Sequence, residues 1–188
     1  MERALMKELR RWKASPRRKP LVLKGARQVG KTWLMKELGR QCYAKTAYVN
    51  FDRNPRMKQV FDQDFDIERI LMAINLETGV RVTPHDTLII FDEVQNCPSA
   101  RQAIKKLVKD GRYDYIETGS LLSIKKNIKD IRIPSEETRL TLYPMDFEEF
   151  YWARGNEITL PMLRDAWNQK TSLGDAVNRK IMDDLRLY

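Results

Sequence analysis

The chain has 188 residues, 42% of them apolar and 32% charged, with a formal net charge of +9. Such values fit one ordinary globular domain able to bury about 70% of the surface its unfolded form exposes; they exclude collagen-like, coiled-coil and disordered polypeptides. Apolar runs such as Leu88-Ile89-Ile90-Phe91 fall far short of the roughly 20 residues of a membrane helix. No membrane partner is therefore expected.

Met1-Glu2-Arg3 opens into a charged, amphipathic pattern with no apolar signal centre, so a cytoplasmic location is the expectation. Charge is concentrated at this end. Residues 1 to 31 carry 11 Lys and Arg against Glu2 and Glu8, which leaves 24 basic and 24 acidic residues beyond them. Arg10, Arg11, Lys13, Arg17, Arg18 and Lys19 form a dense run around Pro16, which reads either as a contact for a polyanion such as nucleic acid or as a solvated face. Leu5, Leu9 and Trp12 recur at helical spacing, so residues 2 to 14 are predicted to be a short helix, and residues 1–16 a basic N-terminal arm.

Leu21-Val22-Leu23 reads as a buried strand, followed by a glycine loop and a helix from Lys31 to about Arg40. Tyr48 to Phe51 reads as the next strand, and Ile67, Ile70, Leu71 and Ile74 as a helix face ending near Gly79. Leu88 to Phe91 has the continuous apolar character of a strand buried on both faces. A helix marked by Ile104, Leu107 and Val108, a strand from Tyr113 to Glu117 and another from Thr138 to Leu142 continue the alternation. Strands alternating with helices indicate an open parallel α/β sheet with right-handed crossovers. Beyond it, Phe147 to Trp152, Met162 to Trp167 and Ala176 to Leu187 read as helices without strand partners. Residues 153–188 are expected to be a helical extension, either a small appendage or the start of a second domain.

Gly25-Ala26-Arg27-Gln28-Val29-Gly30-Lys31-Thr32 fits G-x-x-x-x-G-K-[ST] between a strand and a helix. Glycines let the backbone curl so that successive N–H groups face a phosphate, and the helix N-terminus adds positive potential. In that chemistry Lys31 reaches the β- and γ-phosphates and the Thr32 hydroxyl ligates Mg²⁺. Leu88 to Phe91 runs into Asp92 and Glu93, two carboxylates at the sheet edge where open α/β sheets bind ligands. Asp92 suits the metal through its hydration shell, and Glu93 suits polarisation of an attacking water. Thr118-Gly119-Ser120 ends a strand at the same edge. Thr118 or Ser120 can place a donor between the γ-phosphate and the water, or can serve only as a turn or helix cap.

Together with Leu142-Tyr143-Pro144-Met145-Asp146-Phe147-Glu148-Glu149-Phe150, these motifs closely resemble the AAA-type P-loop ATPases of bacteria and archaea that usually carry a C-terminal nuclease-like domain. The resemblance covers about residues 17 to 152. It implies a P-loop NTPase three-layer sandwich in which the Tyr113–Glu117 strand lies between the phosphate-loop strand and the Asp92 strand. It further implies ATP and Mg²⁺ as cofactors and Arg139 as a phosphate-sensing or trans-acting arginine. Thr138 stands where the family pattern has glycine, and Arg139 reads equally as a strand-edge surface residue. Self-association, or a C-terminal domain, would supply further partners.

GTP is disfavoured because the segment after the Asp92 strand lacks D-x-x-G and no N-K-x-D tetrad occurs. The leading expectation is an ATP hydrolase; the alternative is a nucleotide-regulated nucleic-acid-binding module with little hydrolysis. His85 reads as a turn residue. Trp12, Trp33, Trp152 and Trp167 are too scattered for a base-stacking stripe, and Cys42 and Cys97 form no metal or disulfide pattern.

Overall fold

The computed structural model describes residues 3–119 and 137–188. The chain divides into two compact units, Lys7–Tyr143 and a second that joins Met1–Met6 to Pro144–Tyr188. In the helix Leu5–Ala14 (α1) Leu9 and Trp12 are buried, and the Trp12 indole donates to the Lys19 carbonyl at 2.7 Å.

In Lys7–Tyr143 the elements after α1 are β1 (Leu21–Lys24), α2 (Lys31–Cys42), β2 (Lys45–Asn50), α3 (Pro55–Gln63) and α4 (Ile67–Thr78). They are followed by β3 (Thr87–Asp92), a 3₁₀ turn Val94–Asn96, α5 (Pro98–Asp110), β4 (Asp114–Thr118) and β5 (Thr138–Thr141). All strand pairs are parallel, in the order β2-β3-β4-β1-β5. The Asp114–Thr118 strand thus lies between the phosphate-loop strand and the Asp92 strand, as the resemblance implies. All six residues of β3 are buried, which is what its unbroken apolar run requires in the sheet interior. The edge strand β5 alternates half-buried and exposed positions.

Side-chain alternation sorts the helices onto the two faces. Ala47, Val49, Ile89, Phe91 and Tyr115 point into one core with residues of α3, α4 and α5. At its centre Phe51, Phe61 and Phe91 meet pairwise at 5.6 Å between ring centroids, each burial contributing about 1.5–3 kcal/mol. On the opposite face α2 approaches β2 so closely that a Cβ on Gly39 would lie 2.1 Å from the Thr46 hydroxyl. Helix α3 escaped the periodicity reading, yet its start is signalled by Asn54-Pro55. The Asn54 side chain accepts from the Met57 N–H at 3.1 Å, and Pro55 occupies the first turn.

Part of the basic run is used within the protein. Lys13 and Arg18 pair with Asp114 at 3.1 and 2.5 Å, and Arg10 donates to the Gln41 side chain at 2.6 Å. Burial pushes the Asp114 carboxyl up, but the donors Arg18, Tyr43 and Lys13 outweigh it and hold it below the usual carboxylate range.

The second unit contains α6 (Phe147–Ala153), α7 (Thr159–Gln169) and α8 (Gly174–Leu187). Asp146 and Glu149 form a reciprocal capping box. The buried Glu149 carboxylate also holds Arg3 at 3.0 Å and the Ala4 N–H at 2.8 Å. Phe147, Tyr151 and Tyr188 pack edge to face. Among the described residues no helix is long and apolar enough to cross a membrane.

Candidate functional site

At the C-terminal edge of the sheet a cleft of about 680 Å³ opens between the loop after β1, the ends of β2 and β3, and the 3₁₀ turn. The loop's shape follows from its glycines. Gly25 adopts φ +154°, and a Cβ there would stand 2.4 Å from the Leu142 carbonyl oxygen, so only glycine fits without displacing the backbone. Gly30, at φ 94°, enters the left-handed region immediately before α2 and turns the chain into the helix. Lys31 is buried, and its Nζ donates to the Gly25 and Ala26 carbonyls at 3.0 and 2.5 Å. The ammonium therefore lies inside the curl of the loop, at the helix N-terminus, where anions are favoured.

Thr32 follows on the first turn of α2 and donates from Oγ1 to Asp92 Oδ2 at 2.9 Å. That contact joins the loop to the end of β3, 60 residues later. Asp92 is only 3% exposed; it also accepts from the Tyr48 hydroxyl at 2.6 Å and, through Oδ1, from the Glu93 N–H at 2.9 Å. Burial, reinforced by Asp92, keeps the Tyr48 phenol protonated well above its ordinary range. Glu93 adopts φ 52°, which turns its side chain toward the cleft rather than onward along the strand. Its Oε2 accepts from the Gln95 side-chain amide.

Thr118 sits in register with Leu23 at the end of β4, fully buried, and its hydroxyl has no hydrogen-bond partner among the described residues. It does not line the cleft. Ser120 lies outside the described residues. Behind Thr118 is a buried charge cluster: Arg101 Nη2 pairs with Glu137 at 2.9 Å, and Arg101 Nε lies 3.4 Å from Glu117. Burial pushes the Glu117 carboxyl up to about 8, although Arg101 opposes the shift. Arg139, on the edge strand, is substantially exposed and pairs with Glu137 at 3.3 Å. It does not line the cleft either.

The structure thus brings together Gln28, Gly30, Lys31, Thr32, Asp92 and Glu93, with Arg27 on the rim. Sequence reasoning missed Tyr48, Asn50 and Gln95. Tyr48 and Asn50 are two apart on a strand that ends at the ligand edge, so period-2 alternation aims both at the α2 face. Among the described residues no cluster of three or more His, Cys, Asp or Glu could cage a metal. A hydroxyl beside one carboxylate is nonetheless a fitting set for Mg²⁺, which keeps several waters and takes its remaining ligands from phosphate oxygens.

Five parallel strands flanked by helices, with a glycine loop leading from β1 into α2 and an acid at the end of β3, define a P-loop NTPase fold. Residues 17–151 match the family described as AAA domain, and the chain belongs to that family. No curated protein matches it. Among solved structures it is similar to a chain in the structure of Drosophila ORC bound to DNA, at 16% identity and a TM-score of 0.51, over 80% of this chain and 44% of that one. It is also similar to C. elegans PCH-2, at 13% identity and a TM-score of 0.44, over 79% and 44%. The chain therefore spans less than half the length of either, and at these identities the ORC likeness speaks for the fold alone.

Proposed function

We propose that this chain binds ATP with Mg²⁺ and hydrolyses it, coupling turnover to a conformational change or to the action of a partner. The observation that carries the reading is the 2.9 Å contact between Thr32 and Asp92, which brings the phosphate-loop helix and the strand-end acids to one cleft. In this reading the Gly25–Thr32 backbone cradles the phosphates and Lys31 exchanges its loop carbonyls for β- and γ-phosphate oxygens. Thr32 and Asp92 hold the metal, and Glu93 polarises the attacking water. Bound Mg²⁺ supplies neutralisation of the phosphate charge. Of the pair Thr118 and Ser120, Thr118 is the buried last residue of β4 and stands outside the cleft, so the contact between the γ-phosphate and the water is assigned to Ser120 alone.

In a P-loop switch that lacks a supplied arginine the intrinsic rate is of order 10⁻⁴ per second. A neighbouring copy would relieve that limit, with the exposed Arg139 exchanging its Glu137 partner at 3.3 Å for such a contact. The alternative is a nucleotide-regulated nucleic-acid-binding module whose contact is the basic run, in which Arg10, Lys13 and Arg18 also hold groups of this protein. A domain that consumes ATP works where ATP is supplied, and we assign it to the cytoplasm.

Nucleotide binding tests the reading. Titrating a fluorescent ATP analogue in Mg²⁺ should give saturable binding that Lys31→Ala weakens at least tenfold. Equal affinity of the two proteins would overturn it.

A further inference from the structure

We propose that Tyr48 is a positioning residue for the divalent cation: its hydroxyl, with Thr32 and the Glu93 N–H, fixes the Asp92 carboxylate so that one remaining lone pair orients a metal-bound water. This rests on the assignment of Thr32 and Asp92 to the metal.

The count comes from hydrogen-bond capacity. A carboxylate offers about four acceptor sites. Asp92 uses three of them: Oδ2 accepts from Thr32 at 2.9 Å and from Tyr48 at 2.6 Å, and Oδ1 accepts from the Glu93 N–H at 2.9 Å. One acceptor site is left, on Oδ1. A threonine hydroxyl has one proton and two lone pairs, so donating that proton to Asp92 leaves Thr32 its lone pairs for the cation. With Tyr48 removed, Oδ2 would have one open site beside the one on Oδ1, and the carboxylate would have two directions in which to bind water instead of one.

Tyr48 is itself held for this purpose. It shares the α2 face of β2 with Asn50, whose amide donates to the Tyr48 hydroxyl at 3.4 Å. That leaves the phenolic proton directed at Asp92. Over the ring lies Lys36 Nζ, 4.0 Å from the centroid. Lys36 stands one helical turn after Thr32, so α2 presents both residues to the same pair, Thr32 to the carboxylate and Lys36 to the ring that serves it. Groups that orient a metal's ligands commonly change its affinity 10- to 100-fold when removed.

The test measures Mn²⁺ binding by electron paramagnetic resonance on the whole chain saturated with a non-hydrolysable ATP analogue. Tyr48→Phe keeps the ring and is expected to weaken Mn²⁺ about tenfold, with nucleotide affinity in EDTA unchanged. In an Asp92→Asn background the same replacement should change Mn²⁺ affinity less than twofold. Lys36→Met, at an exposed position, keeps the side-chain stem and should weaken Mn²⁺ two- to threefold, which provides a reading even if Tyr48→Phe does not fold. Unchanged Mn²⁺ affinity in both Tyr48→Phe and Lys36→Met, with Asp92→Asn impaired, would overturn this inference alone. Unchanged affinity in Asp92→Asn would overturn the metal assignment beneath it.

Discussion

Replacing Glu117 by glutamine and following stability across pH isolates the buried charge cluster from every other titrating group. Glu117 is 1% exposed and shares Arg101 with Glu137, which already occupies the guanidinium at 2.9 Å. Burial raises its carboxyl from 4.5 to about 8, so between these values the folded protein keeps a proton that the unfolded chain releases. The sign follows directly: the native state binds more protons, and stability falls as pH rises through that window. The window from 4.5 to about 8, at about 1.4 kcal/mol per unit, amounts to roughly 5 kcal/mol. Glu117→Gln has nearly the same shape and no charge to lose. Urea unfolding of both proteins should give equal stabilities near pH 4.5, a gap widening by about 1.4 kcal/mol per unit, and a plateau above pH 8.5 with the glutamine protein more stable. A difference that stays flat from pH 5 to 9, or a glutamine protein less stable at pH 8.5, would refute the reasoning.

Two further predictions concern the backbone and the second unit. Gly25→Ala places a methyl 2.4 Å from the Leu142 carbonyl at φ +154°; it should cost about 1–3 kcal/mol in urea unfolding and weaken ATP binding at least tenfold, whereas wild-type affinity would contradict the assigned loop geometry. Glu149→Ala removes the partner of Arg3 and of the Ala4 N–H together with half of the capping box. A loss of about 3–5 kcal/mol is expected, read as faster amide exchange in α6, and a loss below about 1 kcal/mol would show that the buried pair is dispensable.

The sheet was legible where burial is two-sided. The Leu88–Phe91 run admits little but an interior strand, and the loop motif placed β1 and α2 on either side of it. Strand ends moved by a residue or two: the hydrogen-bonded segment is Asp114–Thr118, which brings Thr118 itself into the strand. Helix α3 was hidden because only Met57 and Phe61 of its nine residues are buried, too few for a periodic signal. Charge counting marked the basic run but had no means of seeing Asp114, about a hundred positions away, which neutralises part of it. In the site, glycines and acids declared themselves by spacing. Tyr48 did not, since an aromatic in a strand reads first as core, and only the fold shows its hydroxyl on Asp92.

Single-turnover hydrolysis of ATP at saturating Mg²⁺ by the wild-type chain and by Glu93→Gln tests the central claim most directly. The wild type should hydrolyse at order 10⁻⁴ per second or faster, and Glu93→Gln should be slower by about 10²–10⁴-fold while binding ATP within threefold of the wild-type affinity. Hydrolysis by Glu93→Gln at the wild-type rate would contradict the account.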